Sequence, residues 1–129
     1  IWASDIGAYF SGKSIGGQKM APIISPNKTW AGFIGGLVLA CVTGLILNNC
    51  TEPSFETSEI ILASIILSII GQFGDLLESW VKRTFQVKES GTLIPGHGGV
   101  LDRIDAILLA TPAAGLIVLF YEIGEVPWK

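Results

Sequence analysis

Apolar and polar residues alternate along the chain in long blocks rather than short periods. Ala31 to Leu47 reads AGFIGGLVLACVTGLIL, without a charge. Ile60 to Gly74 reads IILASIILSIIGQFG, and its helical spacing continues through Arg83. Ala106 to Ile123 reads AILLATPAAGLIVLFYEI, interrupted only by Pro112 and Glu122. A membrane-crossing helix needs roughly 20 such residues, with about 17 acceptable. The first and third blocks meet that length directly. The second does so if Asp75 and Glu78 lie near the headgroups or face protein. Residues 1–10 have the character of the tail of a further span. The pattern predicts an all-α, polytopic membrane protein fragment of about four transmembrane helices joined by polar loops.

Composition agrees with this. Half of the 129 residues are hydrophobic, 15% are charged, and mean hydropathy is +0.58, too apolar for an ordinary soluble domain. The chain starts at Ile1 with no signal-peptide n-region, so the expectation is the C-terminal part of a longer membrane protein. Cys41 and Cys50 would stand about 13 Å apart along one helix, beyond disulfide reach. Cys and His show no ligand-spaced cluster, which argues against structural zinc.

The net charge of −3 hides a segregation of sign. Lys13, Lys19 and Lys28 lie before the first long block. Glu52, Glu56 and Glu59 lie after it, and Lys82, Arg83, Lys88 and Arg103 follow the second. By the positive-inside rule the first and third polar segments are cytoplasmic loops. Trp30, Trp80 and Trp128 fall near span ends, where interfacial anchors sit. Gly35-Gly36 and Ala113-Ala114-Gly115 offer small-residue packing surfaces, compatible with a homodimer and equally with packing inside one chain.

The candidate chemistry lies between Asp75 and Asp105. Asp75, Glu78, Ser79 and Lys82 are spaced i, i+3, i+4, i+7 and share one helix face. Such a stripe is costly against lipid. One reading is a snorkelling helix end with Glu78–Lys82 and Ser79–Arg83 pairs, and the other is a site. Asp102 and Asp105 open the last span, with Arg103 between them. They suit a helix N-terminus, and with Asp75 they also make a hard-oxygen set fit for Mg²⁺. Pro95-Gly96-His97-Gly98-Gly99 could bring backbone amides and an imidazole close to an anion. Gly7 to Ser14 spells G-x-x-x-x-G-K-S, but Ile15-Gly16-Gly17 and two prolines follow. No helix can begin at Lys13, so this is not a phosphate-binding P-loop.

Together these residues resemble the CDP-diacylglycerol synthase (phosphatidate cytidylyltransferase) family. The matching elements, in order, are Ser79, Lys82-Arg83, Lys88-Glu89, Gly91, Pro95-Gly96-His97-Gly98-Gly99 and Asp102-Arg103-Ile104-Asp105. Upstream, Asp5-Ile6-Gly7-Ala8-Tyr9-Phe10, Ala21-Pro22, Ser25-Pro26-Asn27-Lys28-Thr29-Trp30 and Gly74-Asp75-Leu76-Leu77-Glu78 also match. Glu89 stands where that family usually has Asp, and Ala31 where Glu commonly follows the Lys-Thr-Trp run. Family members also carry several more N-terminal spans.

The resemblance implies that residues 1–129 are the C-terminal catalytic portion of an integral membrane cytidylyltransferase. It implies transfer of CMP from CTP to phosphatidate, giving CDP-diacylglycerol and pyrophosphate. Asp75, Asp102 and Asp105 would hold Mg²⁺, with room for a second, monovalent cation. Lys82, Arg83, Lys88 and Arg103 would hold phosphates. His97 with Gly96, Gly98 and Gly99 would bind the triphosphate or the lipid phosphate. Ser79, Ser25, Lys28 and Thr29 would contact substrate. The implied partners are CTP, phosphatidate and the bilayer, with no nucleic acid. The implied location is the bacterial inner membrane, with active loops in the cytoplasm. Rival readings are a CTP-dependent polyprenol- or phytol-type lipid kinase, an ion-coupled transporter and a non-catalytic assembly subunit. Charges gathered at span ends, rather than at the midplane, favour surface chemistry over transport.

Overall fold

The computed structural model describes residues 1–50, 56–86 and 101–125, with side chains for 1–50, 56–86 and 106–120. Four helices and one β-hairpin occupy these residues. In chain order they are α1 (Trp2–Ser14), β1 (Lys19–Ala21), β2 (Ser25–Thr29), α2 (Trp30–Cys50), α3 (Thr57–Thr84) and α4 (Leu101–Glu125).

Helix α1 ends where Gly16 and Gly17 take φ of +63° and +92°, a conformation glycine adopts without steric cost. The G-x-x-x-x-G-K-S run is therefore helical itself, leads into a turn, and lacks the strand-to-helix context of a P-loop. The chain then departs from the expected polar loop. β1 and β2 pair antiparallel, with Lys19 opposite Thr29 and Ala21 opposite Ser25, and an irregularity between them. Pro22 lies in the connecting turn, where its fixed φ is useful. Pro26 is tolerated within β2 because a two-stranded ribbon consists only of edges. Trp30 N–H donates to the Gln18 carbonyl at 3.1 Å and closes the hairpin's base. Thr29 then starts α2, its Oγ1 accepting the Gly32 N–H at 3.1 Å.

Small residues set how the helices meet. A Cβ on Gly7 would stand 2.5 Å from the Gly35 carbonyl oxygen, on Gly32 2.8 Å from that of Ala8, and on Gly36 2.9 Å from that of Ser4. Backbone therefore meets backbone along the α1–α2 seam, as in small-residue membrane packing. Gly35 and Gly36 are thus used within the chain. The next seam places Gly44 against Ser64 and Gly36 against Gln72, and the third places Gly71 against Ala106. Each pairing runs antiparallel, so one end of the bundle gathers the end of α1, the hairpin, the end of α3 and the start of α4.

A polar track crosses the packed helices. Ser4 and Ser68 share a buried hydroxyl–hydroxyl hydrogen bond of 2.6 Å. The Gln72 side-chain amide donates to Ser68 Oγ at 3.3 Å and to the Phe33 carbonyl at 3.4 Å. Inside apolar surroundings these groups need one another, and they tie α1, α2 and α3 together.

Among the described residues two helices, α2 and α3, are long and apolar enough to cross a membrane, with mean hydropathy 2.1 over their best windows. Only 11% and 17% of those windows is buried, where the core helix of a soluble protein would be mostly covered. Ile34, Val38, Val42 and Ile46 run down one exposed face of α2. The chain is a helical membrane protein. The second block passes the length test because α3 continues beyond Gly74 to Thr84, and the apolar part of α4 within the described side chains is Ala106–Phe120.

Candidate active site

The end of α3 turns its charged stripe inward. Asp75, Glu78, Ser79 and Lys82 are all half-buried, while Phe73, Leu77, Trp80 and Val81 on the other faces are exposed. A helix end that merely snorkelled would show the opposite arrangement. Glu78 and Lys82 pair at 3.1 Å, as their i, i+4 spacing predicts. The suggested Ser79–Arg83 pair is replaced by a longer reach. Arg83 Nε donates to the Ile24 carbonyl at 3.5 Å, joining α3 to the hairpin.

Hairpin and helix meet again at Lys28. Its Nζ lies 2.5 Å from Asp75 Oδ2 and 3.4 Å from the Gln72 carbonyl oxygen. Both partners stay partly accessible, with side-chain exposures of 25% for Lys28 and 38% for Asp75. They line a cavity of about 330 Å³ whose walls also include Asp5, Tyr9, Ser25 and Gln72. Three elements supply its polar groups, while Met20 of β1 and Gly32 and Phe33 of α2 complete the wall. Helix α1 supplies Asp5 and Tyr9, β2 supplies Ser25 and Lys28, and α3 supplies Gln72 and Asp75. The chemistry available is a carboxylate and an ammonium in mutual reach, with hydroxyl and amide groups around them, open at the end of a greasy bundle.

The first turn of α4 approaches the same place. Gly71 packs on Ala106, and toward the other end Ala63 and Leu67 share a small cavity with Ala114 and Ile117. Continuing this antiparallel register one turn from Gly71 and Ala106 brings the backbone of Asp102 level with Asp75. The side chains of Asp102, Arg103 and Asp105 lie outside the described residues, as do Lys88, Gly96, His97, Gly98 and Gly99 entirely. Among the described residues no three His, Cys, Asp or Glu side chains cluster as a metal site. The structure thus unites Ser25, Lys28 and Asp75, sets Ser79 and Lys82 on the same inward face, and directs Arg83 to the hairpin.

Two residues gain importance that sequence reasoning did not give them. Gln72 looks like a polar blemish in an apolar run, yet its side chain holds the helix seam while its carbonyl meets Lys28. Asp5 is a lone carboxylate on α1, and that oddity was the available signal of its place in the cavity wall.

A family model described as the cytidylyltransferase family matches residues 1–121. The chain belongs to this family. It is 49% identical over 127 residues to a phosphatidate cytidylyltransferase of Brucella suis biovar 1 (strain 1330), covering 98% of this chain and 46% of that protein. Against a phosphatidate cytidylyltransferase of Bacillus subtilis (strain 168) it is 48% identical over 112 residues, 87% of this chain and 42% of the relative. Against one of Staphylococcus haemolyticus (strain JCSC1435) it is 43% identical over 119 residues, 92% of this chain and 46% of the relative. The chain spans about half the length of the curated relatives it matches.

Proposed function

We propose that this chain carries the catalytic part of a phosphatidate cytidylyltransferase. The observation that supports it most is the Lys28–Asp75 cavity, whose polar groups come from three elements at one end of a membrane helix bundle in a member of the cytidylyltransferase family. A lipid phosphate reaches the headgroup level and a nucleotide arrives from water. The polar end of such a bundle is where the two can meet.

In the proposed reaction a phosphate oxygen of phosphatidate attacks the α-phosphorus of CTP. A new P–O bond forms there, the bond from the α-phosphorus to the bridging oxygen breaks, and pyrophosphate leaves with the electron pair. The attacking oxygen is already anionic at neutral pH, so no strong general base is needed. The barrier lies in bringing two polyanions together in line, and positioned charge lowers it. Lys82, Arg83, Lys88 and Arg103 are suited to hold phosphates. Ser25, Ser79 and the Gly96–Gly99 run with His97 are suited to orient them.

The donor chemistry fits Mg²⁺. Asp75 offers an accessible carboxylate to the cavity, and the register of α3 and α4 favours Asp102 and Asp105 as its companions. When bound, the cation supplies charge neutralisation at the triphosphate. The basic residues of this end and the bacterial relatives support a cell-membrane protein whose site faces the cytoplasm.

Product analysis tests this reading. Membranes carrying the protein, given phosphatidate, CTP and Mg²⁺, are expected to release pyrophosphate and form CDP-diacylglycerol, and Asp102→Asn to form neither. Release of CDP with a phosphorylated lipid alcohol as product would instead identify a kinase. No turnover in well-inserted protein would refute the synthase reading.

A further inference from the structure

The geometry points to Lys28 as an exchangeable counter-ion that holds Asp75 until a divalent cation arrives and then passes to a substrate phosphate. This rests on reading the cavity as a cation-dependent nucleotidyl-transfer site. Lys28 lies on β2 and Asp75 on α3, so the contact is made across the cavity and not along one helix. The ammonium sits on Asp75 Oδ2 itself. A carboxylate oxygen engaged that closely cannot also accept a dication without setting two positive charges side by side. Cation binding at this oxygen therefore requires Lys28 to move off, and binding through Oδ1 would still set the two positive charges across one carboxylate.

The surroundings permit the move. The pair is partly exposed and opens on a cavity of about 330 Å³, so separation strands neither charge in an apolar wall. A lysine is a compact charge on a flexible four-carbon stem, able to swing where an arginine fork would stay planar and fixed. Ser25 lines the same cavity and adds a hydroxyl to its wall. Lys28 is thus a positioning residue. It neutralises Asp75 in the empty site, and once displaced it offers its charge to an incoming phosphate. Cation and nucleotide would then favour each other's binding through this one side chain.

Mn²⁺ alone, followed by electron paramagnetic resonance on the full-length protein in detergent, tests the exchange without turnover. Lys28→Met is expected to bind Mn²⁺ about tenfold tighter than the wild type, within the usual range of site coupling. Lys28→Arg, whose fork would hold the carboxylate more firmly, should bind Mn²⁺ more weakly than the wild type, and Asp75→Asn should also bind more weakly. If Asp75→Asn weakens binding while Lys28→Met leaves it unchanged or weaker, the exchange is wrong and the cation site stands. If Asp75→Asn leaves Mn²⁺ binding unchanged, the assignment of Asp75 to the cation fails and the exchange fails with it. A second measurement needs no variant at Lys28. Acylation of the Lys28 amine, read by mass spectrometry, should quicken severalfold when Mn²⁺ saturates the wild type and stay constant in Asp75→Asn. An unchanged rate in the wild type would overturn the proposal even if Lys28→Met did not fold.

Discussion

The two ends of the bundle use their charges differently. At the start of α3, Glu56 and Glu59 form a reciprocal capping box, with Glu59 Oε2 accepting the Glu56 N–H at 2.9 Å. These partners are three residues apart, and the contact serves one helix terminus. At the opposite end Lys28 meets Asp75 and Arg83 meets the Ile24 carbonyl, contacts that join the hairpin to α3. Carboxylates at one end are spent on local capping. At the other, beside the local Glu78–Lys82 pair, Asp75 is held by a long-range contact at a cavity. Charge consumed locally serves stability, whereas charge assembled from distant segments marks the place where chemistry is affordable.

The largest effect that could break this comparison is loss of turnover. Asp75→Asn keeps the side chain's shape but removes its charge from the cavity. We expect CDP-diacylglycerol formation to fall by at least about a hundredfold, the usual scale for removing one electrostatic element of a reacting centre. Asp102→Asn should behave alike in the same assay. Near-normal rates in either variant would detach that residue from the reaction.

Next in size is the packing that carries both ends. A Cβ on Gly35 would run into the Ser11 side chain and stand 3.0 Å from the Gly7 carbonyl oxygen. Gly35→Leu should destabilise the protein by about 1–3 kcal/mol, the common range for overpacking. Unfolding in detergent would measure it. A wild-type midpoint would mean that α1 and α2 part easily.

Ser68→Ala should cost less, about 0.6–1 kcal/mol, since it removes the hydroxyl shared by Ser4 and Gln72 within membrane-type packing. The same unfolding experiment reads it. Glu59→Ala should cost about 0.5–1 kcal/mol by loss of the capping box and leave turnover intact. A large drop in turnover there would erase the distinction between the ends.

Much of this was legible in the sequence, for identifiable reasons. The α2 run has no charge to stop it, and the stripe from Asp75 to Lys82 repeats at helical spacing. Position along a helix is enough to predict both. The hairpin was not legible. Ser25-Pro26-Asn27-Lys28-Thr29 lacks β-branched alternation, and its strand depends on closure by Trp30 and Gln18. Nor was the Lys28–Asp75 pair, because contacts across a long sequence separation follow from how glycines let α1, α2 and α3 approach. The role of Gln72 was hidden for the same reason. The continuation of α3 through Arg83 was legible, while its start at Thr57, three polar residues before the apolar block, was not. The motif from Lys88 to Gly99 was legible as chemistry, and its placement lies outside the described residues.

The most direct test of the account compares the two ends in one assay. CDP-diacylglycerol formation from phosphatidate and CTP would be measured for Asp75→Asn and Glu59→Gln, expressed to equal levels in the same membranes. The account predicts that the first loses turnover and the second keeps the wild-type rate. Equal rates in the two variants, whether both lost or both kept, would contradict it.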